Sequence, residues 1–189
     1  MGTMFLQEVE ATVLLADVRD FSPLAAQLGP VDLGLALSRF YEHLGGIIEK
    51  HHGRIVKFLG DGVLGVFTRG ARDHRLRALN TVRDAVSAKQ AFLDENVTLK
   101  LPLLDYTLGA ASGTILAGEM GTEKLRFYDV LGQAVNHAFQ LTSLAALRGV
   151  SNLVAGDVYE NAPKDDRPQA VETDPVEIGG DKLRLFKLE

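Results

Sequence analysis

The 189 residues include no cysteine. That excludes disulfides, thiolate metal sites and a cysteine nucleophile. No apolar run approaches the roughly 20 residues of a membrane span, and Met1 to Glu10 lacks the pattern of a signal peptide. A cytoplasmic protein with no membrane in this segment is the expectation. Excess positive charge is also missing. The net charge is −5, which gives no electrostatic reason to expect nucleic acid or an anionic membrane as partner. There is no Gly-x-x-x-x-Gly-Lys-Ser/Thr loop and no Gly-x-Ser-x-Gly elbow, so neither a P-loop nucleoside triphosphatase nor a serine hydrolase of that type is supported. Internal repeats, low-complexity stretches and interdomain linkers are absent as well. The hydrophobic fraction of 46% and charged fraction of 24% are those of a globular chain. The length suits one domain, residues 1–189.

The most informative stretch runs from His52 to Phe67. Two apolar runs, Arg54–Phe58 and Val63–Phe67, flank Gly60-Asp61-Gly62, a strong hairpin signal. The turn sets a carboxylate at the tip of a rigid element. A second carboxylate, Asp17, follows the apolar run Ala11–Ala16. If the two strands lie side by side, Asp17 and Asp61 converge, and oxygen ligands of this kind suit Mg²⁺ or Mn²⁺.

Around these lie further elements. Val9–Val18 reads as a buried strand, and Phe21-Ser22-Pro23-Leu24 opens a short helix with Ser22 as N-cap and Pro23 at the first helical position. Amides between Val18 and Ser22 are expected to face the space beside Asp17, where they favour phosphate. Val31–His51 is a helix with Leu33, Leu37, Phe40, Leu44, Ile47 and Ile48 on one face; His51-His52 ends it and caps its dipole. Asp73–Glu95 is helical and Asn96–Pro102 a connector. Tyr106–Ala111 and Thr114–Glu119 are predicted to form a second hairpin around Ser112-Gly113. Gly121–Arg126 is a loop and Phe127–Leu131 a strand. Gln133–Leu147 is a helix with Val135, Ala138, Phe139, Thr142 and Ala146 sharing a face. Leu153–Ala155, Val171–Ile178 and Leu183–Leu188 are late strands, and Pro163–Pro168 is a charged loop. Strands, hairpins and helices in this order give an α/β domain with a mixed sheet.

Three motifs, Ala16-Asp17-Val18-Arg19-Asp20-Phe21-Ser22, Lys57-Phe58-Leu59-Gly60-Asp61-Gly62 and Tyr128-Asp129-Val130-Leu131-Gly132-Gln133-Ala134-Val135-Asn136, resemble the signatures of class III nucleotidyl cyclase catalytic domains, in the family's order. The resemblance covers about 9–147, with C-terminal strands in 148–189. It implies a ferredoxin-like βααββαβ core with a mixed, mostly antiparallel sheet and flanking helices. It also implies conversion of a nucleoside triphosphate into a 3′,5′-cyclic monophosphate and pyrophosphate, aided by two divalent ions, Mg²⁺ or Mn²⁺, on Asp17, Val18 and Asp61. By the same resemblance Lys57 and Asp129 read the base, a combination like that of adenine selectors, so ATP is favoured. Phe21, Ser22 and Lys124 belong with the substrate phosphates, and Asn136 touches the ribose region. The sites of a head-to-tail homodimer would then draw Asp17 and Asp61 from one subunit and Lys57, Asp129 and Asn136 from the other.

Two positions depart from the family pattern. Gln140 stands where the family carries an arginine that stabilises the transition state, and Gly179 where it carries a lysine for the terminal phosphates. A glutamine donates a hydrogen bond but brings no charge. Lys182, Lys124 or Arg126 are candidate substitutes, Lys124 the better one. The alternative is a catalytically weak or inactive domain that acts as a nucleotide-binding or regulatory module. For each of Asp17 and Asp61 a bland role remains open, that of a turn or capping aspartate, and for Lys57–Asp129 that of a surface ion pair.

Overall fold

Successive side chains of a strand point to opposite faces, and in the first strand both sets are apolar. Leu14, Ala16 and Val18 are buried on one side, Ala11, Val13 and Leu15 on the other. A strand apolar on both faces belongs inside a sheet that is covered twice. The computed structural model, which describes residues 6–69 and 73–189, has that arrangement. The reading of Met1–Glu10 therefore falls in part outside the described residues.

The elements in order are β1 (Leu6–Val18), α1 (Phe21–Ala25), α2 (Pro30–Lys50), β2 (Arg54–Phe58), β3 (Gly62–Thr68), α3 (His74–Thr98), β4 (Tyr106–Gly121), β5 (Arg126–Leu131), α4 (Gln133–Leu147), β6 (Asn152–Ala155), α5 (Gly156–Glu160), β7 (Ala170–Ile178) and β8 (Asp181–Leu188). The sheet runs β2-β3-β1-β4-β6-β8-β7, with β5 also paired to β4. Among the described residues β4–β6 is parallel and the other ladders are antiparallel. The stretch from β1 to β4 has the expected βααββαβ order, and β2-β3-β1-β4 is its ferredoxin-like strand order.

One face is covered by α2 and α3, through Phe40, Leu44, Ile48, Leu79, Val82 and Phe92. The other is covered by α4, with Ala134, Ala138, Leu141 and Ala145 buried against the strands. The approach of α4 is close. A Cβ on Gly109 of β4 would lie 2.4 Å from the Ala138 carbonyl oxygen and 2.3 Å from Thr142 Oγ1. This corrects part of the expected face of α4: Ala138 and Thr142 are buried, but Phe139 turns outward, 39% exposed, and Ala134, Leu141 and Ala145 take the sheet side.

Other expectations also change. The predicted hairpin at Ser112-Gly113 does not exist. β4 is one strand, paired without a break to β1 from Leu6↔Gly118 to Val18↔Tyr106. Ser112 sits opposite Thr12, their hydroxyl oxygens 2.6 Å apart, so a turn signal is used as a cross-strand pair inside a sheet. Ser22 is not an N-cap: Asp20, with φ 49°, holds that position without a side-chain bond. His51 is the C-cap of α2, but its Nε2 lies 2.8 Å from Asp84 Oδ2 of α3. α3 runs on to Thr98, through part of the predicted connector, and α5 had no counterpart in the sequence reading.

Candidate active site at the end of the central strands

The ladder between β1 and β3 ends with Asp17 opposite Gly62. The Val18 amide donates to the Asp61 carbonyl (3.0 Å), and the Leu59 amide donates to the Gly62 carbonyl across the turn (2.8 Å). Register and turn thus bring Asp17 and Asp61 to one end of the sheet, as the sequence suggested. Burial, and then the charge of Asp61, push the Asp17 carboxyl up from 3.8 to about 6. A carboxylate whose ionisation is opposed by a second one beside it favours a cation between the two. A Cβ on Gly62 would come within 3.1 Å of Asp17 Oδ1, so the missing side chain keeps that oxygen clear. Among the described residues no cluster of three or more His, Cys, Asp or Glu forms a metal cage. Two carboxylates beside backbone oxygen fit a hard divalent ion that keeps ligand positions for water and substrate.

Tyr41 of α2 reaches the same turn. Its hydroxyl donates to the Gly60 carbonyl, and its ring stacks on Phe58 with centroids 4.3 Å apart. The sequence reading passed over it, although Tyr41 follows Leu37 by four residues and so borders the apolar stripe of α2.

Beyond Asp17 the chain is clamped. The Arg19 amide donates to the Asp105 carbonyl (2.8 Å), Arg19 Nε lies 3.3 Å from Asp105 Oδ2, and Lys89 Nζ lies 3.0 Å from Asp105 Oδ1. The amides of Val18 and Arg19 are therefore spent within the protein, which corrects the expectation that the whole run from Val18 to Ser22 faces phosphate. Phe21 and Ser22 open α1, with Phe21 packed against the core on the α2 face.

Lys57 and Asp129 meet. Their Nζ and Oδ2 atoms are 2.7 Å apart, with the two side chains 41% and 27% exposed. β5 is bonded to β4, yet its side chains reach across to β2: the Arg54 guanidinium lies 3.4 Å from the Tyr128 ring centroid. The Val130 amide donates to Asp129 Oδ1 (2.8 Å) and orients the carboxylate.

Asn136 and Gln140 are exposed on one side of α4, four residues apart. Gln140 and Gly179 line one groove of about 430 Å³ with Phe139, Ser143, Leu147 and Glu177. Among the described residues that line it, Glu177 carries the only charge. Gly179 and Gly180 have φ of +60° and +91° and join Ile178 to Asp181, which pair across the turn. Such a two-residue turn needs the left-handed region at both positions. The candidate substitutes do not come to this groove. Lys182 pairs across from Glu177 but lines a separate cavity with Asp157 and His137, and Lys124 is exposed in the loop between β4 and β5.

No helix among the described residues is long and apolar enough to cross a membrane. A family model described as "Adenylate and Guanylate cyclase catalytic domain" matches residues 6–189. An uncharacterized protein of Mycobacterium tuberculosis is 27% identical over 161 residues, 85% of this chain and 29% of that protein. Adenylate cyclase 1 of Rhizobium meliloti is 26% identical over 152 residues, 79% of this chain and 23% of its own length. The chain thus spans less than a third of these curated relatives. The crystal structure of the guanylyl cyclase Cya2 superposes with a TM-score of 0.84 at 25% identity, covering 96% of this chain and 92% of that one. With a family model matched over nearly its whole length, the chain belongs to the adenylate and guanylate cyclase catalytic domains.

Proposed function

We propose that the chain is the catalytic part of an adenylate cyclase that makes cyclic AMP and pyrophosphate from ATP in the cytoplasm. The observation that carries the reading is the convergence of Asp17 and Asp61, with Asp17 pushed up to about 6 by burial and by its neighbour. Asp17 and Asp61, with the backbone at Val18, are the residues that would hold two Mg²⁺ or Mn²⁺ ions. When bound, such ions activate a hydroxyl and neutralise a leaving pyrophosphate.

The ribose 3′-hydroxyl attacks the α-phosphorus in line, so the protein's task is positioning and charge. Lys57 donates to an adenine ring nitrogen and Asp129 accepts from the exocyclic amine. Their mutual ion pair is half-exposed and worth at most about 1 kcal/mol, so opening it to admit a base is cheap. Asn136 orients the ribose, Gln140 donates a neutral hydrogen bond near the reacting phosphate, and Phe21, Ser22 and Lys124 belong with the phosphate chain. In a head-to-tail homodimer Asp17 and Asp61 of one subunit work with Lys57, Asp129 and Asn136 of its partner.

The test is turnover of ATP, GTP, CTP and UTP with Mn²⁺ and with Mg²⁺, beside Asp61→Ala. Cyclic AMP is expected as the main product, with GTP slower by about 10-fold or more, since a good base-edge pair discriminates by about 1–3 kcal/mol, and no product from the variant. Preferential use of GTP would overturn the adenine assignment and leave the cyclase standing. The shared site has its own check. Asp61→Ala and Lys57→Ala chains, each inactive alone, should recover about a quarter of wild-type activity when mixed, since about half the dimers are mixed and each of these keeps one intact site. No recovery, with mixed dimers shown to form, would argue against shared sites.

The Gln140–Gly179 groove supports a second reading, a nucleotide-binding or regulatory module with little or no turnover. No product from any nucleotide, with metal binding intact, would favour it.

A further inference from the structure

We propose that Tyr41 is a positioning residue for the Gly60–Asp61 turn, fixing the backbone from which Asp61 reaches a metal ion; this rests on the reading of Asp61 as a metal ligand. A peptide unit is planar, so the Gly60 carbonyl and the Asp61 amide move as one body. The Tyr41 hydroxyl holds that body by its oxygen. The following unit, which carries the Asp61 carbonyl, is held by the Val18 amide at 3.0 Å. Asp61 is thereby pinned from both sides, with only its own φ and ψ between two anchored planes.

Tyr41 is itself held. Its ring stacks on Phe58 at 4.3 Å and 27° and tilts against Phe40 at 6.1 Å and 48°. Phe40 is fully buried in the core under α2, so the hydroxyl is mounted on a rigid helix rather than on the loop it braces. The bond lies at an exposed position, where water can replace it with little loss of stability. What water cannot replace is the direction in which the bond holds the turn. Supporting contacts of this kind around a metal ligand are worth about 10-fold or more in metal affinity.

Tyr41→Phe removes the hydroxyl and keeps the stack. In the metal-free protein, hydrogen exchange at the Val18 amide, which donates to the Asp61 carbonyl, should become faster by about 10-fold. Mn²⁺ binding, followed by electron paramagnetic resonance, should weaken by about 10-fold. The melting temperature should stay within about 2 °C. Tyr41→Leu, which also loses the stack on Phe58, should weaken Mn²⁺ at least as much. Unchanged exchange with Mn²⁺ affinity within about 2-fold of wild type would overturn the proposal. So would a loss of affinity that comes with a melting point lowered by more than about 5 °C, since the role would then be structural. Asp61→Ala separates this from the underlying reading. If that variant binds Mn²⁺ as well as wild type, the metal site itself is wrong; if it loses Mn²⁺ while Tyr41→Phe does not, only the role of Tyr41 fails.

Discussion

Asp17→Asn is expected to abolish cyclic product, by about 1000-fold or more, and at the same time to make the metal-free protein more stable near neutral pH. The two effects have one cause. Asp17 sits at the buried end of β1 beside Asp61, and its carboxyl is raised from 3.8 to about 6. The folded protein therefore holds a proton on Asp17 over a range of pH in which the unfolded chain has released it. Where the unfolded state binds fewer protons, stability falls as pH rises. The contribution of Asp17 is thus neutral below about pH 4, turns against the fold between about 4 and 6, and stays at its full cost above that. Full burial would make the difference worth about 3 kcal/mol. Asp17 is only partly shielded from water, and solvent screening brings the cost to about 1–2 kcal/mol. Asparagine keeps the shape and carries no charge. In the presence of a chelator its melting temperature should exceed that of wild type by about 4 °C near pH 8 and match it near pH 4. Mn²⁺ should raise the melting point of wild type, because it binds only the folded state, and leave the variant unmoved. A variant less stable than wild type near pH 8 would mean that the ionised carboxylate is not under strain.

The meeting of Asp17 and Asp61 was the more legible part of the sequence. Both aspartates stand in short motifs at strand ends, where local pattern and chemistry point the same way. The strands, and the helices of the first face, followed from period and apolar spacing alone. What failed were signals that tertiary context overrides. Ser112-Gly113 has turn residues, but thirteen paired positions along β1 keep β4 straight, and the Ser112 hydroxyl is satisfied by Thr12 within the sheet. Ser22 has the chemistry of a cap, yet the left-handed backbone at Asp20 starts α1 two residues earlier than a Ser22 cap would. The outward turn of Phe139 depends on how near α4 comes to Gly109, a distance between segments that no local pattern encodes. Tyr41 is the same kind of case. Its helical position is readable, but its contact with Gly60 exists only once α2 is laid over the hairpin.

Gln140→Arg is expected to raise kcat for cyclic AMP by about 100-fold. A cation over the reacting phosphates contributes about 1,000-fold or more in enzymes that use one for phosphoryl transfer. On the proposed reading Gln140 donates a neutral hydrogen bond, and charge assistance about doubles such a bond, so part of the gain is in place. The position tolerates the change. It is exposed on α4, arginine is a good helix former, and Phe139 and Leu147 offer an apolar wall for its stem. Glu177, the one charged residue among the described residues that line the groove, would draw the guanidinium away from phosphate, so Gln140→Arg with Glu177→Gln should gain more than Gln140→Arg alone. Gly179→Lys is not an equivalent repair. Gly179 has φ +60° in a two-residue turn, and a side chain there costs about 1 kcal/mol of backbone strain. The absence of the lysine is therefore built into the turn between β7 and β8, whereas the absence of the arginine is a single exposed side chain. If arginine at 140 leaves kcat unchanged while ATP still binds, charge at the groove is not what limits turnover, and the domain is better understood as one that holds nucleotide without needing to consume it.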